Sequence, residues 1–244
     1  MKKLLLAGVA AIAFGVSAHA ADLPARMATK AAAYAAPYNW NGFYVGANVG
    51  WGWGAHDSDA FTDAGAFVSS VSTTRDGFIG GGQIGYNYMI TPNILLGLEV
   101  DLSAADIKAS STSTTATGTS STDSKDNWFS TARGRVGYAF NNWLVYGTGG
   151  FAWTHDSSTR TVLASTVPAL VGQSSTSSGT LNGWTVGAGV EYGFTQHWIG
   201  RLEYLHMDFG SYTDHFVYVP ATGNRTNNEK LRTDIVRVAL SYKF

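Results

Sequence analysis

Between Gly42 and Gly54 the chain alternates with a period of two. Phe43, Val45, Ala47, Val49, Trp51 and Trp53 hold one set of positions, and Gly42, Tyr44, Gly46, Asn48, Gly50, Gly52 and Gly54 hold the other. Successive side chains of a β-strand point to opposite faces, so the segment predicts a strand with one apolar face and one small or polar face. At about a dozen residues it is long for a soluble strand and suits one that crosses a membrane at a tilt.

The same alternation returns in pairs. Phe78, Ile84, Tyr86, Tyr88 and Ile90 oppose Gly77, Gln83, Gly85 and Asn87; after Thr91-Pro92-Asn93, Ile94, Leu96, Leu98, Val100 and Leu102 oppose Gly97, Glu99, Asp101 and Ser103. A second pair sets Trp128, Ala132, Val136, Tyr138 and Phe140 against Thr131, Arg133, Arg135 and Gly137. It turns at Asn141-Asn142 and resumes with Trp143, Val145, Phe151 and Trp153 opposite Tyr146, Thr148 and Thr154. A third runs from Trp184 to Phe194, turns at Thr195 to His197, and continues with Trp198, Leu202 and Tyr204 opposite Arg201 and Glu203. The last segment carries Val236, Val238, Leu240, Tyr242 and Phe244 on one face and Arg237, Ala239, Ser241 and Lys243 on the other. The pattern predicts an all-β fold, an eight-stranded antiparallel transmembrane β-barrel.

Tight turns within the pairs alternate with much longer connections, 55–75, 107–126, 155–181 and 210–230. Strict alternation of short and long connections is the layout of an outer-membrane barrel with short periplasmic turns and long extracellular loops. The Ser/Thr-rich run from Ser110 to Ser124 reads as mobile surface.

Composition sharpens this picture. Only 14% of residues are charged and 29 are Gly, against about a quarter charged and about 7% Gly in an ordinary soluble domain. The 32 aromatics (8 Trp, 12 Tyr, 12 Phe) suit interfacial girdles. The absence of Cys excludes a disulfide scaffold, a thiolate zinc site and a cysteine nucleophile, and a net charge of −1 gives no case for nucleic acid. Lys2 and Lys3, the apolar run Leu4 to Val16 and Ala18-His19-Ala20 spell a secretory signal peptide over residues 1–20. Residues 21–39, Ala-rich with Pro24 and Pro37, read as a flexible periplasmic tail, which leaves 40–244 for a monomeric barrel.

If the apolar faces meet lipid, the opposite faces meet one another. They carry Glu99, Asp101, Arg133, Arg135, Glu191, Arg201, Glu203, Arg237 and Lys243. Eight strands enclose an interior that side chains can fill, so the expectation is a plug of charge-assisted hydrogen bonds rather than a water channel. A small-solute, porin-like pathway is the alternative. Neither a catalytic nor a metal site is expected. His56-Asp57-Ser58 and His155-Asp156-Ser157 put a His two residues from a Ser, some 6 to 7 Å apart along a strand, which needs a third orienting group before it could act as nucleophile and base. His56, His155 and His215 lie near Trp53, Trp153, Phe216 and Tyr218, so haemin is carried as an alternative ligand of a chain expected to have no obligatory cofactor.

Four stretches carry a family resemblance: Asn39-Trp40-Asn41-Gly42-Phe43-Tyr44-Val45-Gly46, Thr131-Ala132-Arg133-Gly134-Arg135-Val136-Gly137-Tyr138, Arg201-Leu202-Glu203-Tyr204 and Tyr242-Lys243-Phe244. Together they closely resemble the small outer-membrane β-barrel family of alphaproteobacteria, which includes surface antigens, haemin-binding proteins and porin-like chains. The resemblance implies residence in a Gram-negative outer membrane, among its lipid and lipopolysaccharide, and contact with host surface molecules or the environment through the loops. The aromatic terminus, Tyr242 and Phe244, resembles the signal read by the outer-membrane assembly machinery.

Overall fold

A computed structural model of the chain describes residues 38–62, 65–115, 118–166, 168, 171–216 and 225–244. Among these residues the chain forms eight strands: β1 (Gly42–Thr62), β2 (Phe67–Met89), β3 (Ile94–Thr115), β4 (Gly118–Phe140), β5 (Trp143–Ser165), β6 (Ser174–Gly193), β7 (Trp198–Phe216) and β8 (Arg225–Lys243). Each pairs antiparallel with its neighbours in chain order, and β1 pairs with β8 to close a barrel. The all-β antiparallel barrel read from the alternation is the observed architecture. The signal segment and residues 21–37 of the tail lie outside the described residues.

One end of the barrel carries the tight turns Ile90–Asn93, Asn141–Asn142 and Phe194–His197. Two of them are built alike. Thr91 Oγ1 accepts from Ile94 N at 3.0 Å, and Thr195 Oγ1 accepts from Trp198 N at 3.1 Å. In the third, Asn141 sits at φ 51°, the left-handed region that Asn tolerates because its short side chain bonds locally.

The strands are longer than the alternation alone indicated. Each has 19 to 23 residues, whereas a tilted crossing takes about 9 to 11. Most of the apolar outward residues, among them Phe43, Phe78, Leu98, Phe151 and Phe244 at 60 to 72% exposure, lie in the half next to the tight turns. The other half is built from the stretches expected to be loops, which is a correction. Ser110 to Ser124, expected to be mobile, is strand over its described residues, with Ala109 paired to Ser124 and Thr115 to Gly118. Polar and β-branched side chains form a ladder as readily as apolar ones when water can receive both faces, and hydroxyl pairs such as Thr114 with Thr119 (3.2 Å) and Thr159 with Thr176 (3.0 Å) span the strands.

Candidate functional site

Inward side chains fill the barrel in three tiers. Nearest the tight turns, Tyr38, Trp40, Leu95, Ala139, Leu144, Tyr146 and Ile199 form an apolar layer. Tyr38 and Trp40 pack ring to ring at 4.6 Å, and Trp40 is 1% exposed. Packing therefore starts before the barrel boundary set at residue 40: Tyr38, from the segment read as tail, joins Trp40 in the apolar barrel mouth. Lys243, expected among the lumen charges, is buried here. Its ammonium donates to the Asn39 carbonyl and lies 5.0 Å from the centre of the Tyr38 ring, and no ion pair to a carboxylate is found for it among the described residues. It sits at the strand end, one tier below the acids, so it fastens the N-terminal segment and takes no part in the charge network.

The middle tier is the charge network. It contains Glu99 and Asp101 on β3, Arg133 and Arg135 on β4, Glu191 on β6, Arg201 and Glu203 on β7, and Arg237 on β8, all buried. Four guanidinium groups thus face four carboxylates. Arg133 is the hub: it pairs with Glu99, with Asp101 at 3.0 Å and with Glu203 at 3.1 Å. Arg201 grips Glu99 at 2.6 Å and Glu191 at 2.7 Å, Arg135 reaches Glu191 at 2.6 Å, and Arg237 reaches Glu203 at 2.6 Å.

Two tyrosines complete the tier. Tyr44 donates to Glu99 at 2.6 Å while accepting from Arg135 at 2.8 Å, and Tyr146 donates to Glu203 at 2.7 Å with the Arg135 guanidinium 4.0 Å from its ring centre. Each ring lies over a glycine of the neighbouring wall, Tyr44 over Gly85 and Tyr146 over Gly189, where any Cβ would collide with it. A neutral chain extends the tier across β1, β2, β3 and β8. Asn48 donates to Gln83 at 2.7 Å, Gln83 to Ser241 at 3.2 Å, and Ser103 to Asn48 at 3.3 Å. The sequence reading placed Tyr44, Asn48, Gln83 and Tyr146 on the inward face but did not assign them to the network; their position opposite the acids, on strands with few inward charges, was the available signal.

The third tier is apolar again: Ile79, Ala105, Ile107, Phe129, Ala152, Leu205, Met207, Phe209, Leu231 and Ile235. The sequence reading treated the interior as a charge plug alone, and this layer is a correction. Its members sit at inward positions at or beyond the ends of the alternating segments away from the tight turns, where the contrast between faces fades. Beyond it, Arg75 of β2 crosses to Asp156 of β5 at 3.2 Å and meets His56 Nδ1 at 2.6 Å.

His56 and His155 do not come together. His56 points inward to Arg75. His155 lies on the outer face, stacked on Trp128 with a ring separation of 6.3 Å and an angle of 4°. His215 is in β7, its backbone in register with Thr226, and its side chain lies outside the described residues. His56 thus faces the interior from β1 and His155 faces outward from β5, and the two imidazoles do not converge. The two His-Asp-Ser triplets meet through Arg75, which pairs with Asp156 and is hydrogen-bonded to His56.

At the tight-turn end Tyr242 and Phe244 face outward with Trp198. Phe244 is 70% exposed, and its amide donates to the Phe43 carbonyl at 2.9 Å. Tyr242 contacts Phe244 and Trp198 edge-on at 5.4 and 5.3 Å, continuing a girdle with Tyr138, Phe140, Trp143 and Phe194.

Comparison with known proteins places this geometry. The chain is 34% identical over 252 residues to the 31 kDa outer-membrane immunogenic protein of Brucella melitensis, covering 100% of both chains. It is 28% identical over 247 residues to the 25 kDa outer-membrane immunogenic protein of Brucella abortus, covering 100% of this chain and 99% of that one. In fold it is similar to the outer membrane protein OprG of Pseudomonas aeruginosa, with a TM-score of 0.54 at 14% identity over 84% of this chain and 96% of that one. The outer membrane protein beta-barrel domain model matches residues 8–244. With an apolar belt one crossing tall and a closed ring of strands, the chain belongs to the outer membrane protein beta-barrel domain family and is a surface-exposed barrel of the bacterial outer membrane.

Proposed function

We propose that the protein is a closed, non-conducting scaffold, not an enzyme. In this reading it displays paired hairpins at the cell surface for envelope integrity and for contact with host or environment. The observation that carries it is the filled interior: an apolar stopper ending in Tyr38 and Trp40, four buried Arg–carboxylate sets, and a second apolar layer, stacked in series. A porin needs a continuous polar path, and eight strands leave room only for the side chains already there. Planar-bilayer recording tests the reading: purified barrel should give no steady single-channel current, and an ohmic current with defined ion selectivity would defeat it.

Four Arg–carboxylate sets cost desolvation energy, so their worth lies in fixing strand register more than in net stability. The outward aromatics Tyr242 and Phe244 supply the end of the last strand to the assembly machinery. Phe244→Ser should lower outer-membrane recovery and leave protein in the periplasm; unchanged recovery with normal heat-modifiable migration would remove that role. Haemin stays the second ligand reading and carries less weight, because His56 and His155 occupy opposite faces.

A further inference from the structure

The barrel wall is closed only in its lower half. β1 pairs with β2 and β8 along its length, β8 with β7, β4 with β3 and β5, and β5 with β6. Two partnerships stop early. Among the described residues the β6–β7 ladder ends where Trp184 meets Asp208, and the β2–β3 ladder ends where Asp76 meets Lys108. Past these points, among the described residues, no ladder joins β6 to β7 or β2 to β3, and the wall divides into two four-stranded leaves, β2-β1-β8-β7 and β3-β4-β5-β6.

The four edges are not equivalent. The β7 edge carries Asp214 and His215 and begins at an irregularity between Asp208 and Ser211. The β2 edge, from Phe67, ends on the ion-paired Arg75. Ala109–Thr115 on β3 is uncharged but short. Ser174–Asn182 on β6 is nine residues of Ser, Thr, Gly, Leu and Asn, with no charge, no Pro and no irregularity, held straight by unbroken pairing with β5 from Ser174 to Tyr192. A Cβ added at Gly179 would meet nothing within 4 Å. Exposed edges are ordinarily blunted by Lys, Pro, inward charges or bulges; this one has none of these.

We propose that the β6 edge, Ser174–Asn182, is a docking site for an extended, uncharged polypeptide segment, which adds to the β3-β4-β5-β6 leaf as a fifth strand. The chemistry names the partner. Backbone N–H and C=O groups recurring every second residue, about 6.8 Å apart, are matched only by another extended backbone. Because the edge continues the ladder that β7 completes lower down, an added strand takes the place β7 vacates above Asp208. The small side chains of Ser and Thr leave the partner's own side chains unrestricted, so recognition rests on backbone more than on sequence. The proposal rests on the surface exposure of the hairpin end argued above.

The test uses the folded barrel in detergent and a fluorescent peptide of alternating Thr and Val with a Lys at each end. A second copy of the peptide is N-methylated on alternate residues, so that one edge cannot donate. The expected result is saturable binding, slowed amide exchange across residues 174–182 but not across 118–126, which have strands on both sides, and binding roughly tenfold or more weaker for the N-methylated peptide. No protection at 174–182, or equal affinity for both peptides, would overturn the site. Protection present without peptide in a dimeric barrel would also overturn it, since a second copy would then hold the edge. Binding by purified barrel combined with failure of Gly172→Cys to label on intact cells would leave the edge standing and refute the surface orientation instead.

Discussion

The two halves of each strand obey different rules although one ladder runs through both. In the half beside the tight turns, every strand has a partner on each side, outward residues are apolar, and inward residues are packed to exclusion. In the outer half Ser and Thr predominate, and among the described residues the ring divides into two leaves. Hydrocarbon offers a backbone N–H nothing to bond to, so an open edge there costs several kcal/mol per group and the ring must close. Water satisfies an edge at little cost, and the same chain can leave it open. Charges follow suit. Arg133 and its three carboxylates are buried, whereas Asp106 sits exposed between Lys108 (2.8 Å) and Lys125 (3.5 Å), its carboxyl held below the usual range chiefly by the hydrogen bond from Lys108.

The contrast can be broken most forcefully at the hub. Arg133→Ala leaves Glu99, Asp101 and Glu203 each short of a partner, and stranding a buried charge costs about 3 to 5 kcal/mol. Urea unfolding of the detergent-refolded barrel should show a loss of that order, or the variant should fail to become heat-modifiable. If stability holds and a steady conductance appears, the lower half is hydrated and the comparison fails.

Glycines give the next largest difference. Gly85→Val and Gly189→Val drive a side chain into Tyr44 and Tyr146, an overpacking cost of about 1 to 3 kcal/mol. Gly179→Val, in the outer half, meets open space and replaces a poor strand former with a good one, so its unfolding midpoint should be unchanged or slightly higher. Equal losses at Gly85 and Gly179 would show that both halves are packed alike.

Shortening the outer half should matter less still. Replacing Ser111–Thr122 by Asn-Gly, a turn that suits the flanking pair Ser110 and Asp123, should leave the unfolding midpoint of the lower barrel within a change of about 1 kcal/mol. Smallest of all is Asp106→Asn: an exposed ion pair contributes little, and no shift in unfolding should be measurable.

Much of this was legible in the sequence. The lower half follows from period-two alternation, because a lipid belt forces apolar residues outward at every second position and leaves the face of each residue unambiguous. That is why Glu99, Glu191, Glu203 and the four network arginines could be placed inside from their parity alone, and why Tyr242 and Phe244 could be placed outside. The outer half was misread as loops for the complementary reason. With water on both faces, no contrast marks a strand, and Ser110 to Ser124 has the composition of a mobile segment.

What the sequence by itself determined is therefore the parity of each residue within the belt, and from parity the barrel and its inward charges. Which charge meets which was left to the tertiary structure. Glu99 is 102 residues from Arg201, and Asp101 is 136 from Arg237; closure of the ring and the stagger of its strands set the height of each side chain in the lumen, and no local pattern encodes height. The same holds for Lys243, inward by parity yet one tier below the acids, and for Tyr38, whose place in the mouth depends on a cavity that exists only once eight strands have closed around it.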